Sequence, residues 1–408
     1  MRRLLVVLAM ALGLSACATD RPIRFGCSRL NDFAIPVPET PIAYATPAAA
    51  GTGTATAAGS QAGPSPLGAA FAAGLGGTRL AGAEPPSVLV LSGGGQWGAF
   101  GAGYLRRWSS APIAGQARPA AFDIVTGVST GSLQATYAFL GAEQDDALVA
   151  AYGIRSEREL VRRHGPLFFL RHGSMADTAP LVAYVRERVG PLIGRVAAAD
   201  PSRKLYVGIV DGLTSRMIAV DLTRISRELR DPERTDCYVG ALIASSAVPA
   251  VFRQVRINDT PYLDGGVRHS VFVAGVSRAT EEAFARTSAG GNVYVLMNGD
   301  VTPSQVGTLP PKLLPTIGRL RSIVFNQIEL ASIYGVAGTD PRMRTFVATA
   351  AGHPCEAKQD EEDEVFSPRV MQCLRAFGEG QSAPMPEPWR LVVRPSTNSS
   401  ASTQGEGR

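Results

Sequence analysis

Three stretches hold residues whose types and spacing suit acyl transfer. In Asp123-Ile124-Val125-Thr126-Gly127-Val128-Ser129-Thr130-Gly131-Ser132-Leu133, an apolar run stops at Gly127 and a helical pattern begins after Gly131. A G-x-S-x-G between strand and helix forces a strained turn, puts glycine where a Cβ would clash, and holds the serine hydroxyl at the strand's end. Ser129 is therefore the candidate nucleophile. Such a hydroxyl needs a base, and the tetrahedral intermediate needs donors aimed at its oxyanion. The run Ser87-Val88-Leu89-Val90-Leu91-Ser92 leads into Gly93, Gly94 and Gly95, whose N–H groups can turn toward a carbonyl at the positive end of a helix expected from near Trp97. Removing one such donor typically costs about 3 kcal/mol of barrier.

The base is the open chemical question. The histidines are His164, His172, His269 and His353, and none has a sequence setting that marks it as a base. Asp264, in Tyr262-Leu263-Asp264-Gly265-Gly266, stands at a strand end. A carboxylate with an ordinary pKa of about 3.9 is a weak base at neutral pH, so burial beside the serine would have to raise it. Each piece alone also fits an ordinary turn; together they supply nucleophile, base and oxyanion donors.

The elements that must position these residues follow from periodicity. Strand 87–91 with a helix through Gly101 to Trp108, then strand 122–126 with a helix from Ser132 to Leu140, give β-loop-α twice. Helices are expected over 145–152, 157–163 and 180–189, the last capped by Asp177 or Thr178 ahead of Pro180. Strands 204–210 and 217–221 make one hairpin, and strands 255–257 and 262–264 make a second after a helix over 237–246. Farther on come a buried strand at 292–297, a strand at 344–349 and a helix at 365–377. Between them Leu313, Ile317, Leu320, Val324, Ile328 and Ala331 keep helical spacing, a stripe read as core-facing rather than lipid-binding.

Ser92-Gly93-Gly94-Gly95-Gln96-Trp97-Gly98, Gly127-Val128-Ser129-Thr130-Gly131 and Asp264-Gly265-Gly266 occur in that order, and Ala244-Ser245-Ser246-Ala247-Val248-Pro249-Ala250-Val251-Phe252 precedes the last. In these motifs the chain resembles the patatin-like phospholipase family over roughly residues 86–300. The resemblance implies a three-layer α/β/α hydrolase fold with a mainly parallel central sheet. It also implies a Ser-Asp dyad: Ser129 attacks an acyl ester, Asp264 takes and returns the proton, and the N–H groups of Gly93, Gly94 and Gly95 hold the oxyanion. Gly98, Gly127, Gly131, Gly265 and Gly266 would support those turns, with no histidine and no cofactor required. The chain departs from the family in carrying Trp97 where Arg or Lys is common and His269 where Asn is frequent, which leaves His269 open as a local participant. The expected activity is hydrolysis of acyl esters of phospholipids or related lipids through an acyl-enzyme. The competing readings are a lipoprotein that binds lipid or an envelope partner without catalysis or with partner activation, and an esterase for small soluble esters.

Gly93-x-Gly95-x-x-Gly98 also fits a dinucleotide fingerprint, but the following strand ends on Thr126 and the elbow, with Asp123 at its wrong end for gripping a ribose. No Cys-x-x-Cys or His-rich spacing supports a metal. The net charge of +5 gives no strong argument for nucleic acid or an anionic membrane, and it falls to +3 if residues 1–16 are removed, since Arg2 and Arg3 go and no acid does.

At the N-terminus Arg2 and Arg3 precede an apolar segment, Leu4 to Leu14, too short to span a bilayer, and then Leu14-Ser15-Ala16-Cys17. This resembles a bacterial lipoprotein signal, which implies removal of residues 1–16, acylation of Cys17, membrane attachment and, with Ala18 behind it, placement in the outer membrane of a cell envelope. The remaining cysteines, Cys27, Cys237, Cys355 and Cys373, allow three pairings, of which Cys355 with Cys373 closes the shortest loop. Residues 17–86, rich in Ala, Gly, Thr and Pro from Pro36 onward, read as a flexible tether spanning on the order of 40 Å, with Leu67 to Leu75 able to form a weak local helix. The catalytic domain is expected over 87–394, with residues 395–408 a disordered tail.

Overall fold

In the strand Ser87–Leu91, Leu89 and Leu91 pack into one hydrophobic core while Val88 and Val90 pack into a second on the opposite side. A strand buried on both faces is the mark of a sheet covered by helices above and below. The computed structural model describes residues 22–37, 65–75, 85–163, 174–269, 290–300, 343–356 and 365–392, with further helical residues within 279–283 and 316–332.

The strands are β1 (Ile23–Phe25), β2 (Ala34–Pro36), β3 (Ser87–Leu91), β4 (Ile124–Val128), β5 (Arg162–Arg163), β6 (Ala176–Asp177), β7 (Lys204–Asp211), β8 (Met217–Asp221), β9 (Val255–Ile257), β10 (Thr260–Asp264), β11 (Gly291–Leu296), β12 (Met343–Ala348) and β13 (Arg390–Leu391). Eleven of them form one sheet along the path β1-β9-β10-β7-β4-β3-β11-β12-β13, with β2 and β8 branching from β7; β5 and β6 pair separately. The central run β7-β4-β3-β11-β12 is parallel throughout, so the expected mainly parallel central sheet with helices on both sides is what forms, with antiparallel pairings added toward its edges.

Five helices matter for the site: α1 (Pro66–Leu75), α2 (Gly98–Ser110), α3 (Thr130–Leu140), α4 (Glu233–Ser245) and α5 (Pro368–Gly378). Buried residues of α2, α3, α4 and α5 share the first core; Leu67, Phe71 and Leu75 of α1 lie in the second, with Phe71 stacked on Tyr206 at 5.5 Å. Among the described residues no helix is long and apolar enough to cross a membrane.

Three expectations need correction. The tether does not run unbroken from 17 to 86. Residues 22–37 belong to the sheet, β1 beside β9 and β2 beside β8, and Cys27 is bonded to Cys237 of α4. The helix expected weakly near Leu67 is packed, because Leu67, Phe71 and Leu75 share one face and burying each such side chain is worth about 1.5–3 kcal/mol. The stripe read as core-facing is also largely outside: Leu320 and Val324 are 60% and 45% exposed and Ile328 only half-buried. Leu313 and Ile317 lie outside the described residues, as do Cys17, the signal segment and the tail after Pro395. The helix expected over 157–163 is a single tight turn at Glu157–Glu159 before β5.

Candidate active site

The position of Ser129 and Asp264 follows from strand register. One edge of β7 is taken by β8, from Tyr206 to Val210. The other edge is shared: β4 pairs with Lys204 through Gly208, and β10, running the opposite way, pairs with Asp211 back to Ile209. Two strands therefore meet head to head. Val128, the last residue of β4, sits opposite Gly208, and Asp264, the last of β10, sits opposite Ile209. The chain cannot continue past Val128 without running into Asp264, so it turns at Ser129, which adopts φ 53° and ψ −126°. That positive φ costs a non-glycine residue on the order of 1–3 kcal/mol and must be held by its surroundings.

The surroundings do hold it. The Ser129 N–H donates to Ser245 Oγ at 3.0 Å, and Ser245 Oγ in turn donates to the Gly208 carbonyl at 2.7 Å. The Ser129 carbonyl accepts from the Ser132 N–H at 2.9 Å, Ser132 Oγ at 2.6 Å and Ser246 Oγ at 3.2 Å. Gly127 and Gly131 let the turn close: a Cβ on Gly127 would overlap the Gly131 carbonyl, and one on Gly131 would overlap the carbonyls of Leu91 and Ser92. The last contact docks the elbow directly on the strand that carries the glycine loop.

Asp264 is 1% exposed. Its N–H donates to the Ala247 carbonyl just past α4, and Oδ1 accepts from the Gly266 N–H at 2.7 Å. Burial pushes the carboxyl up to about 7, against the opposing pull of the Ser129 hydroxyl and the Gly266 N–H. Oδ2 nevertheless lacks a partner of ordinary hydrogen-bond geometry. Ser129 and Asp264 thus stand in reach of one another without a well-formed bond, as resting catalytic pairs often do before substrate tightens them. Gly265 lies against the Gly208 carbonyl and Val128, where a side chain would separate the strand ends.

The glycine loop begins at the buried Gly93 and bends at Gly94, φ +145°, where a Cβ would overlap the Asn298 carbonyl; Gly95 is exposed. Among the described residues the N–H groups of Gly93, Gly94 and Gly95 have no acceptor, leaving three donors at the start of α2. Gly98 opens that helix against Thr130 and Tyr152.

Several supports were not anticipated. The Asn298 N–H donates to Ser92 Oγ at 2.7 Å, and Asn298 Nδ2 donates to the Ser92 carbonyl at 2.8 Å and to Gln134 Oε1 at 2.9 Å. Gln134 Nε2 then donates to the Gly98 carbonyl at 2.7 Å. From the C-terminal segment, the Ser367 N–H donates to Gln96 Oε1, and the His353 ring meets Trp97 edge-on at 4.5 Å. The His353 imidazole has its pKa lowered from the ordinary value by burial, against the opposing pull of Asp300 and Glu356. It stands by the loop, away from the role of base. His269 follows the Asp264 turn, its N–H donating to the Gly265 carbonyl. The small-residue block containing Ser245 and Ser246 is a sequence signal for the elbow's support, whereas nothing local in the sequence marks Asn298, Gln134, Ser367 or His353. A narrow cleft behind the elbow is walled by Leu181, Ile243, Ala247 and Phe252 and reaches Ser246. Among the described residues no group of three or more His, Cys, Asp or Glu is arranged to hold a metal.

Comparison with known proteins adds two findings. Residues 89–276 match the family model described as patatin-like phospholipase. Among solved structures, VipD from Legionella pneumophila aligns with a TM-score of 0.29 and 11% identity, covering 72% of this chain and 67% of that one. No curated protein sequence matches the chain.

Proposed function

Residues 89–276 of this chain form a patatin-like phospholipase domain, and from that premise we propose that it hydrolyses lipid acyl esters through an acyl-enzyme on Ser129. Asp264 is the base. Ser129 Oγ attacks the acyl carbonyl, its proton passes to Asp264 Oδ2, and the N–H groups of Gly93, Gly94 and Gly95 take the oxyanion. Asp264 gives the proton to the leaving alkoxide, then takes one from the water that cleaves the acyl-enzyme and returns it to Ser129 Oγ as the fatty acid leaves. A carboxyl titrating at about 7 suits both transfers near neutral pH, being part base and part acid. The observation that carries the reading is the head-to-head meeting of β4 and β10, which sets a strained serine beside a buried carboxylate with an unpartnered oxygen.

The test is fluorophosphonate labelling of the protein together with fatty-acid release from phospholipid vesicles, beside Ser129→Ala and Asp264→Asn. Labelling and release that vanish in both variants support the dyad. A folded wild type that neither labels nor releases fatty acid overturns it.

We further propose attachment to a cell-envelope membrane through an acyl group on Cys17. Only residues 18–22 then separate the anchor from Ile23 of β1, a reach of about 20 Å at full extension. This leash is far shorter than the tether read from composition, and it would hold the folded domain against the lipid surface.

A further inference from the structure

Tyr152 directly follows the short helix Asp145–Ala151 and is buried. Its hydroxyl donates to the Thr130 carbonyl at 3.1 Å and pairs with Thr130 Oγ1 at 2.6 Å. With the phenol proton engaged at the carbonyl, Thr130 Oγ1 is the donor of the shorter bond. A buried tyrosine hydroxyl ordinarily finds some partner. Here both partners belong to the residue that follows Ser129, so the phenol grips the serine turn from its C-terminal side, where ψ is −126°. The same side chain reaches the other half of the site. A Cβ on Gly98 would overlap Thr130 Oγ1 and the edge of the Tyr152 ring, so the first residue of α2, the first of α3 and the phenol meet at one point. Gly95 to Trp97 form the single turn that leads from the glycine loop into Gly98.

Tyr238 of α4 makes a bond of the same kind to the same helix. Its hydroxyl pairs with Thr136 Oγ1 at 2.9 Å, equally buried but farther along α3, away from the serine turn. That bond joins two helices and touches neither half of the site. Taking the hydrolase reading as its premise, we propose that Tyr152 is a positioning residue for the reaction: its hydroxyl clamps Thr130 so that Ser129 Oγ and the glycine-loop donors keep the separation that a tetrahedral adduct needs. Tyr152 itself touches no reacting atom. A displacement of about 1 Å between reacting groups can slow a reaction on the order of 10²-fold, so a clamp that acts only through the turn still has a large effect to exert.

The experiment compares the full chain with Tyr152→Phe, Thr130→Val, Thr130→Ser and Tyr238→Phe. For each, the fluorophosphonate labelling rate is measured against probe concentration, giving a limiting rate and a half-saturating concentration. Dissociation constants are measured for an alkyl trifluoromethyl ketone, whose carbonyl carbon takes Ser129 Oγ and presents an oxyanion, and for the matching alcohol, which forms no adduct. In Tyr152→Phe and Thr130→Val the limiting rate should fall about tenfold to a hundredfold with half-saturation within about twofold of wild type. The ketone should weaken by a similar factor while the alcohol binds as before. Thr130→Ser, which keeps the hydroxyl, should recover most of the loss seen in Thr130→Val. Tyr238→Phe should lower the melting temperature and leave the kinetics in place. Labelling of Tyr152→Phe at the wild-type limiting rate overturns the proposal. So does a loss shared by ketone and alcohol, or one that Tyr238→Phe reproduces, since a general loosening of the fold would do either. If circular dichroism shows Tyr152→Phe unfolded, Thr130→Val decides by the same criteria; if both unfold, the pair is structural and the proposal falls. A wild type that neither labels nor binds the ketone removes the hydrolase reading and this role with it, whereas a reactive wild type matched by Tyr152→Phe removes the role alone.

Discussion

The two halves of the site are supported from different distances along the chain. The elbow and aspartate are held from within the family-matched segment, by Ser132, Ser245, Ser246 and Ala247. The glycine loop is held at Gly98 by Gln134 from inside that segment, but otherwise from outside it, by Asn298, by Ser367 on Gln96 and by His353 on Trp97. On the proposed mechanism, the half that would make and break bonds is thus locked by residues of the matched segment, whereas the half that would receive the oxyanion also depends on long crossovers. Substitutions in the first should act on chemistry with little change in fold; substitutions remote from the second should act through the loop.

The largest effect is expected at the dyad. Asp264→Asn should lower the acylation rate by on the order of 10⁴-fold, as loss of a member of a catalytic unit generally does. In the wild type the rate should climb with pH through about 7, since the base works only after losing its proton. The same substitution should stabilise the protein at high pH. Asp264 titrates higher folded than unfolded, so the protein is at full stability below about 3.8 and loses stability as pH rises toward 7, by at most on the order of 4 kcal/mol. Thermal melts at pH 4 and pH 8 check the sign: Asp264→Asn should melt near wild type at pH 4 and above it at pH 8. A lower melt at pH 8 would mean that the carboxylate is stabilised in place, contrary to its burial.

The oxyanion half should answer next. Gly94→Ala puts a Cβ into the Asn298 carbonyl at a φ that L-residues rarely adopt. The loop must move, and misplacing its donors should cost roughly 10²–10³-fold in acylation. Circular dichroism should still report a folded protein, because the contact is confined to one loop. A Gly94→Ala protein with wild-type labelling would separate the glycine loop from oxyanion binding altogether.

Ser245→Ala sharpens the comparison from the elbow side. It strips the buried partner from the Ser129 N–H and the Gly208 carbonyl together, each unsatisfied group costing about 1–3 kcal/mol. Labelling should slow by roughly tenfold to a hundredfold with substrate KM little changed. Ser245→Thr, which keeps the hydroxyl, should recover most of the rate. Failure of threonine to rescue would assign the loss to packing against α4.

How much of this was legible follows the same division. Ser129, Asp264 and the glycines announced themselves because each answers a local backbone demand: a turn at the end of a strand, a close approach, a positive φ. Asn298, His353 and Ser367 did not, since an asparagine after a strand has no meaning until β11 is known to lie beside β3. Composition misled at the N-terminus, where few charges between Pro36 and Pro86 suggested a tether, although Phe25, Phe33 and Phe71 had cores to enter. Periodicity found the apolar face containing Leu320 and Val324, but periodicity cannot say whether a face meets protein or solvent. The short Cys355–Cys373 loop leaves Cys27 for Cys237, 210 residues apart, and both bonds form; the long one carries little extra cost, since closure entropy rises only with the logarithm of length.

The smallest effect on chemistry is expected where the loop's support is most remote. Cys355 and Cys373 are bonded across 18 residues, tying the turn that carries His353 to α5, whose first turn begins beside the Ser367 contact to Gln96. Removing both thiols with Cys355→Ala/Cys373→Ala restores to the unfolded chain a freedom worth about 3 kcal/mol, a fall of about 5 °C in melting temperature for a domain of this size. The native contacts themselves survive, because Trp97 and Gln96 are also fixed by the α2 packing that begins at Gly98. Acylation should therefore slow by no more than about threefold, under 1 kcal/mol of barrier. A drop as large as that of Gly94→Ala, with the melt lowered only as above, would show that the C-terminal segment sets the oxyanion loop's geometry and does not merely brace it, which would move the boundary of the catalytic machinery well beyond residue 276.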